Sequence, residues 1–334
     1  MLNDFVGQRQ LHGPLRKLIQ GAQSLGEPVP HLLLVGEAGL GKSRLVHAIA
    51  REAANDSGPA QPSNLRRLIA GRDVSVAALV GVLHELNACD ILFVDEAHAL
   101  RGEVQETLFL ALDEQRTYEL VDGKTVHRNN TVSVAPFTLI VATNRPGGLL
   151  TALRSRLHVM HFARYEVEEL RMICDRVAAT HGLEFSAQAA RHIAVLSQGT
   201  PRRVVKAVGL LRMVHPQTGR FDLPTVRAAL RELGTDDLGL DSVQRRALAL
   251  VAASPQRKLS HEVLTTMLGL DSSYVRTEVE PFLVNQGLLS IDTHRRRVLT
   301  EGGAAALIRA EAGETSAPAN DPPEAASSVS SEAR

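Results

Sequence analysis

The sequence predicts an α/β fold: a parallel sheet with crossover helices over residues 1–161, a small helical lid domain over 162–236, a C-terminal winged helix over 237–310 and a disordered tail over 311–334. Three observations carry this reading. Short apolar runs alternate with helical patterns in the first part, as expected when parallel strands are joined by crossover helices. Strand signals then stop, and the next stretch reads as helices. Beyond residue 240 a helix–turn–helix pattern precedes two short apolar runs around a basic turn.

The strand candidates are His31–Val35, Ile91–Val94 and Phe137–Ala142, each apolar and of the length of a buried strand. In the second region Thr200-Pro201 opens a helix, because proline suits the first helical turn. In the third, Leu264, Met267 and Leu268 share one helix face before Gly269 breaks the pattern. Val275, Val279, Phe282 and Leu283 then form the stripe of a second amphipathic helix, which Pro281 is expected to kink or to start later. Leu288–Thr300 reads as two strands around a turn holding Arg295, Arg296 and Arg297. From Ala312 onward Pro, Ser, Ala and Glu dominate and no apolar periodicity survives, the signature of a disordered tail.

With 334 residues, 44% of them hydrophobic and 22% charged, the chain can bury more than one core. Formal net charge is zero, but from Glu311 onward five acids face one base, so the body keeps a mild positive excess. That suits an anionic partner without demanding one. Cys89 and Cys174 stand far apart without CxxC spacing, which argues against a disulfide or zinc framework. No basic-then-apolar leader opens the chain, and no apolar run is long enough to cross a bilayer. The expected location is the cytoplasm, with no membrane partner.

Gly36-Glu-Ala-Gly-Leu-Gly-Lys-Ser43 satisfies GxxxxGK[ST] between an apolar strand and a helical pattern, the context that motif needs. Gly39 and Gly41 let the backbone curl so that its N–H groups face phosphates, and Arg44 follows at the helix start. Lys42 would neutralise the phosphates of ATP, and the Ser43 hydroxyl would ligate Mg²⁺. Ile91-Leu-Phe-Val-Asp-Glu-Ala-His98 is a buried strand ending in two carboxylates. Asp95 would hold Mg²⁺ and Glu96 would polarise the attacking water, whereas His98 has no assigned chemistry. A third strand ends in Asn144, placed to sense the γ-phosphate or orient water.

The ordered set GEAGLGKS, ILFVDEAH, FTLIVATNRPGGLLTALRSRL and GTPRRVVKAVGLLR resembles the bacterial RuvB family, AAA+ P-loop NTPases that drive branch migration of Holliday junctions. The similarity runs from Asp4 to about residue 310. It implies that Phe5, Val6 and Gly7 cradle the adenine, that Arg156 is an arginine finger reaching a neighbouring subunit, and that Arg202 is a second sensor arginine. It also implies a homo-oligomeric ring, commonly of six subunits in relatives. Two departures stand out. Glu37 and Ala38 replace the two prolines usual in the family's P-loop. The segment Tyr118–Val134, where the family carries an apolar hairpin that docks RuvA, is polar around Asp122-Gly123, which counts against a RuvA-like partner.

For the basic turn, the resemblance matches Thr293, Arg295 and Arg297 to a wing that touches DNA backbone. Guanidinium pairs well with phosphate and reads no base sequence, so branched or duplex DNA would be bound largely independently of sequence. The leading expectation is an ATP-driven DNA motor of recombination and repair, the family's housekeeping motor or a divergent paralogue of it. An ATP-gated switch without processive movement, clamp-loader-like or regulatory, shares every nucleotide motif and stands as the alternative. A transcription regulator is disfavoured by the phosphate character of the wing.

Overall fold

The structure, a computed structural model, describes residues 2–55, 64–121 and 125–312. The Asp122-Gly123 turn and the tail from residue 313 lie outside the described residues. The chain divides into two compact units, Met1–Leu210 and Leu211–Arg334, with the break inside the helix Pro201–Val214.

In the first unit the strands are β1 (Leu32–Val35), β2 (Leu65–Ile69), β3 (Ile91–Asp95), β4 (Arg116–Val121), β5 (Thr125–Ser133), β6 (Thr138–Thr143) and β7 (His158–His161). Five of them form one parallel sheet in the order β2-β3-β6-β1-β7. All six residues of β6 and the first four of β3 are buried, because helices cover both faces and leave no side for water. That is why the three central strands were legible as continuous apolar runs. The two edges were not anticipated: β2 carries Arg66 and Arg67 and β7 carries two histidines, as edge strands commonly do. Strands β4 and β5 form a separate antiparallel hairpin with a register irregularity after Tyr118. Its Tyr118, Leu120 and Val126 pack against the main core, so the alternating apolar residues are largely used internally.

Nucleotide-side geometry follows from where these strands end. Strands β1 and β3 lead directly into the glycine loop and the carboxylate pair, and the helix Lys42–Asn55 starts at the loop's own lysine. The polypeptide from 162 to 210 is mainly helical, as expected, although a two-residue strand occurs at Glu184–Phe185. The helix begins at Pro201, as the sequence indicated.

The second unit holds a three-stranded antiparallel sheet, Lys258–Leu259, Arg297–Leu299 and Leu289–Ile291, with Arg297–Leu299 in the middle. It packs with helices Ser242–Ala253, His261–Leu268 and Glu280–Asn285 around Leu248, Leu264, Val275, Phe282 and Leu283. Leu264 and Leu268 are buried there, but Met267 is 44% exposed and faces away from the core. A π turn over Val275–Val279 lies just ahead of Pro281, the residue that has no N–H to give. Backbone angles stay helical through Val279 and Glu280, so one long element survives the proline.

Candidate nucleotide site and DNA-binding module

Three glycines shape the phosphate end of the site. Gly39 and Gly41 take φ of 84° and 90°, a region that side chains with a Cβ avoid. A Cβ at Gly39 would also sit 2.9 Å from the Cβ of Arg202, and one at Gly36 would sit 2.7 Å from that of Phe162. Lys42, only 6% exposed, donates to the carbonyls of Gly36 and Glu37 at 2.7 and 2.8 Å. Burial lowers its pKa, while the carboxylates of Glu96, Asp95 and Glu37 oppose that shift and Arg202 adds to it. The ammonium is therefore held inside the loop, ringed by groups that keep it charged.

The carboxylate pair stands opposite. Ser43 Oγ donates to Asp95 Oδ2 at 3.2 Å, and the Glu96 N–H donates to Asp95 Oδ1 at 3.1 Å. Glu96 has φ 53°, a left-handed turn that sends the two neighbouring carboxylates in different directions. Its Oε2 is buried with no hydrogen-bond partner. His98 Nδ1 lies 3.4 Å away and is hydrogen-bonded to Thr143 Oγ1 at 3.1 Å.

Lys42, Ser43, Arg44, Asp95, Glu96, Gly39, Gly41 and Arg202 all line one cavity of about 750 Å³, together with Phe5 and Val6. Ile173, Val177 and Val205 add apolar surface to its lining. Sequence reading missed Tyr165, which lines the same cavity and donates to the Leu40 carbonyl at 3.1 Å. It also missed Gln8, whose amide both donates to the Ala163 carbonyl and accepts from the Ala163 N–H, at 2.6 and 3.0 Å. No motif flags either residue; their roles come from contacts more than 120 residues apart in sequence.

Two expected residues stand elsewhere. Asn144 is exposed at the end of β6 and does not line the cavity; the neighbouring Thr143, fully buried, is the residue that connects to the Glu96 side through His98. Arg156 is also outside it. Its guanidinium pairs with Asp113 and lies 5.6 Å from the ring centroid of Phe109.

Comparison with known proteins accounts for this arrangement. Residues 1–162 match the family described as the Holliday junction DNA helicase RuvB P-loop domain, and residues 237–308 match the RuvB C-terminal winged helix domain. A Holliday junction branch migration complex subunit RuvB from Granulibacter bethesdensis is 33% identical over 311 residues, covering 90% of this chain and 83% of its own length. The protein of the same description from Parasynechococcus marenigrum is 34% identical over 315 residues, covering 93% and 88%. The chain belongs to the RuvB family. Among solved structures, the Thermotoga maritima RuvB Holliday junction branch migration motor superposes with a TM-score of 0.75 at 28% identity, over 92% of this chain and 96% of that one. The RuvB-like AAA+ P-loop domain and C-terminal winged helix expected from the sequence are both present.

Within this RuvB-family chain the wing departs from expectation. Thr293, His294 and Arg295 are exposed at the turn, and Arg295 has φ 58°. Arg296 is tied back to Asp292 at 3.0 Å. Arg297, expected at the tip beside Arg295, is instead in the central strand and only 7% exposed. Its guanidinium pairs with Glu280, which also meets His261 Nδ1 at 2.7 Å, and His261 Nε2 reaches Ser272 Oγ at 2.8 Å. Strand alternation turns every second side chain inward, and Arg297 falls on the inward register. Buried and paired, Arg297 is not at the surface to contact phosphate as expected, whereas Arg295 is exposed at the turn.

Proposed function

We propose that the chain is the ATP-hydrolysing subunit of a motor that drives branch migration of Holliday junctions in DNA recombination and repair. The observation that carries this reading is the single cavity into which Lys42, Ser43, Asp95 and Glu96 all project at the ends of β1 and β3. Lys42 would exchange the carbonyls of Gly36 and Glu37 for phosphate oxygens. Glu96, with an unpartnered buried oxygen, would take the proton of the attacking water. The donor set fits Mg²⁺, a hard cation that takes oxygen ligands. A hydroxyl and a carboxylate oxygen, Ser43 Oγ and Asp95 Oδ2, lie 3.2 Å apart facing the cavity. Bound there beside ATP, the ion would offset phosphate charge.

The remaining parts of the reading extend the same scheme. The domains are 1–161 for nucleotide, 162–236 for the lid and 237–310 for DNA. Arg156, outside its own chain's cavity, would complete the site of the next subunit in a ring, hexameric as in relatives. Arg202, whose N–H donates to the Gly39 carbonyl at 3.3 Å, would report the nucleotide state to the lid. Arg295 would contact DNA phosphate. A RuvA-like partner is not expected, because Tyr118, Leu120 and Val126 of the hairpin pack against the chain's own core. No described helix is long and apolar enough to cross a membrane, and the chain would act in the cytoplasm.

Steady-state ATP hydrolysis with no DNA, duplex DNA and a four-way junction tests this, using wild type, Glu96→Gln and Arg156→Ala. DNA-stimulated hydrolysis that falls by about 10²- to 10⁴-fold in both variants is the expected outcome. Hydrolysis indifferent to DNA, or tight ATP binding without turnover, would move the reading to an ATP-gated switch.

A further inference from the structure

The carboxylate assigned to the metal already carries a cation from its own chain. Arg67 Nη2 lies 2.7 Å from Asp95 Oδ2, the same oxygen that accepts the Ser43 hydroxyl at 3.2 Å. The other oxygen, Oδ1, takes the Glu96 N–H. Both sides of the carboxylate are therefore occupied by donors.

Sheet register explains how an arginine arrives there. Strand β2 pairs with β3 so that Arg67 stands opposite Phe93, two residues before Asp95. Side chains two apart on a strand share a face, so Arg67, Phe93 and Asp95 project together. The guanidinium carbon lies 5.8 Å from the Phe93 ring centroid, which steers the group along the sheet towards the strand end. The Asp95 side chain is 15% exposed and that of Arg67 is 47% exposed, so the guanidinium can leave into solvent without dismantling the core.

We propose that Arg67 is a built-in competitor for the divalent cation, a positioning residue that holds Asp95 in its place until metal and nucleotide arrive together. The inference rests on the nucleotide reading above. Magnesium dehydrates reluctantly and demands near-octahedral oxygen geometry, so a guanidinium fixed on the oxygen shared with Ser43 obstructs it both by charge and by position. Free metal is thereby disfavoured. Metal escorted by nucleotide phosphates, which bring their own negative charge, displaces the arginine more readily. Lysine at the same position keeps the charge but loses the planar fork that fits a carboxylate.

The test measures Mn²⁺ binding to the full chain at saturating ADP, read from the electron paramagnetic resonance signal of free Mn²⁺, for wild type, Arg67→Gln and Arg67→Lys. Binding of a fluorescent ADP analogue without metal, and a thermal melt, run alongside. Arg67→Gln is expected to bind Mn²⁺ roughly three- to tenfold more tightly, with Arg67→Lys between it and wild type. Metal-free nucleotide binding should stay within about twofold, since Arg67 does not line the cavity. Unchanged or weaker Mn²⁺ binding in a folded Arg67→Gln chain, with wild type binding normally, overturns the proposal alone. A wild-type chain that binds neither the analogue nor Mn²⁺ with ADP overturns the nucleotide reading and this inference with it.

Discussion

In the nucleotide site the charged groups are positioned by the backbone, whereas in the wing they are positioned by strand alternation. The P-loop lysine follows two left-handed glycines and starts a helix, so its direction is set within eight residues of sequence. The wing arginines occupy neighbouring positions on a tight turn and strand, where a step of one residue exchanges solvent for core. Arg295 remains outside, and Arg297 becomes part of a buried ionic cluster with Glu280 and His261. The same residue type thus stands in solvent at one position and serves architecture two positions later. A motif with its own turn chemistry announces side-chain direction; a run of like charges does not.

The largest effect that would sharpen this contrast is in the cluster. Glu280→Ala leaves Arg297 and His261 buried without their shared carboxylate, and should cost about 3–5 kcal/mol of stability in urea unfolding. A loss below about 1 kcal/mol would mean that the cluster is not the wing's anchor.

Next comes a test on the nucleotide side. Burial, the chief cause, pushes the Tyr165 hydroxyl up to about 12 from 10. The neutral phenol is therefore favoured in the folded chain. Its contribution is complete below pH 10 and is lost as pH rises towards 12, by about 2–3 kcal/mol. Tyr165→Phe should flatten that part of the stability profile relative to wild type, measured by unfolding between pH 8 and pH 12. Parallel profiles for the two proteins would remove Tyr165 as a buried phenol.

The smallest effect separates the two arginines directly. Arg295→Ala should weaken DNA binding by about 1 kcal/mol across sequences and reduce the salt dependence by about one phosphate contact. It should leave the melt unchanged. If stability falls while the salt slope stays, Arg295 belongs with Arg297 rather than apart from it.

How much was legible follows the same division. Strands β1, β3 and β6 announced themselves because both faces are covered and their interior residues are apolar. Strand β2 hid behind Arg66 and Arg67, yet the second of these reaches the Asp95 carboxylate. The cavity's phosphate half could be read from GEAGLGKS and ILFVDEAH, since both motifs are local. Tyr165 and Gln8 could not, because their partners Leu40 and Ala163 lie on distant segments. Asn144 stands exposed just past the end of β6, and Thr143 before it carries the buried hydroxyl, a difference in exposure that two adjacent polar residues do not reveal in sequence.

One contact described above bears on what an isolated chain can do. The guanidinium of Arg156 rests on Asp113 and beside Phe109 of the same chain, with its side chain about half exposed. An ion pair so open to water contributes about 0–1 kcal/mol, little compared with the surface two protomers bury when they meet. Such an arginine is kept in order without being locked away. If Arg156 serves a neighbouring subunit as proposed, a lone chain would be silent twice over: it would lack the group a neighbour lends, and its own loan would be resting on its surface. Turnover would then be a property of the assembled collective, switched on by concentration before any DNA is engaged.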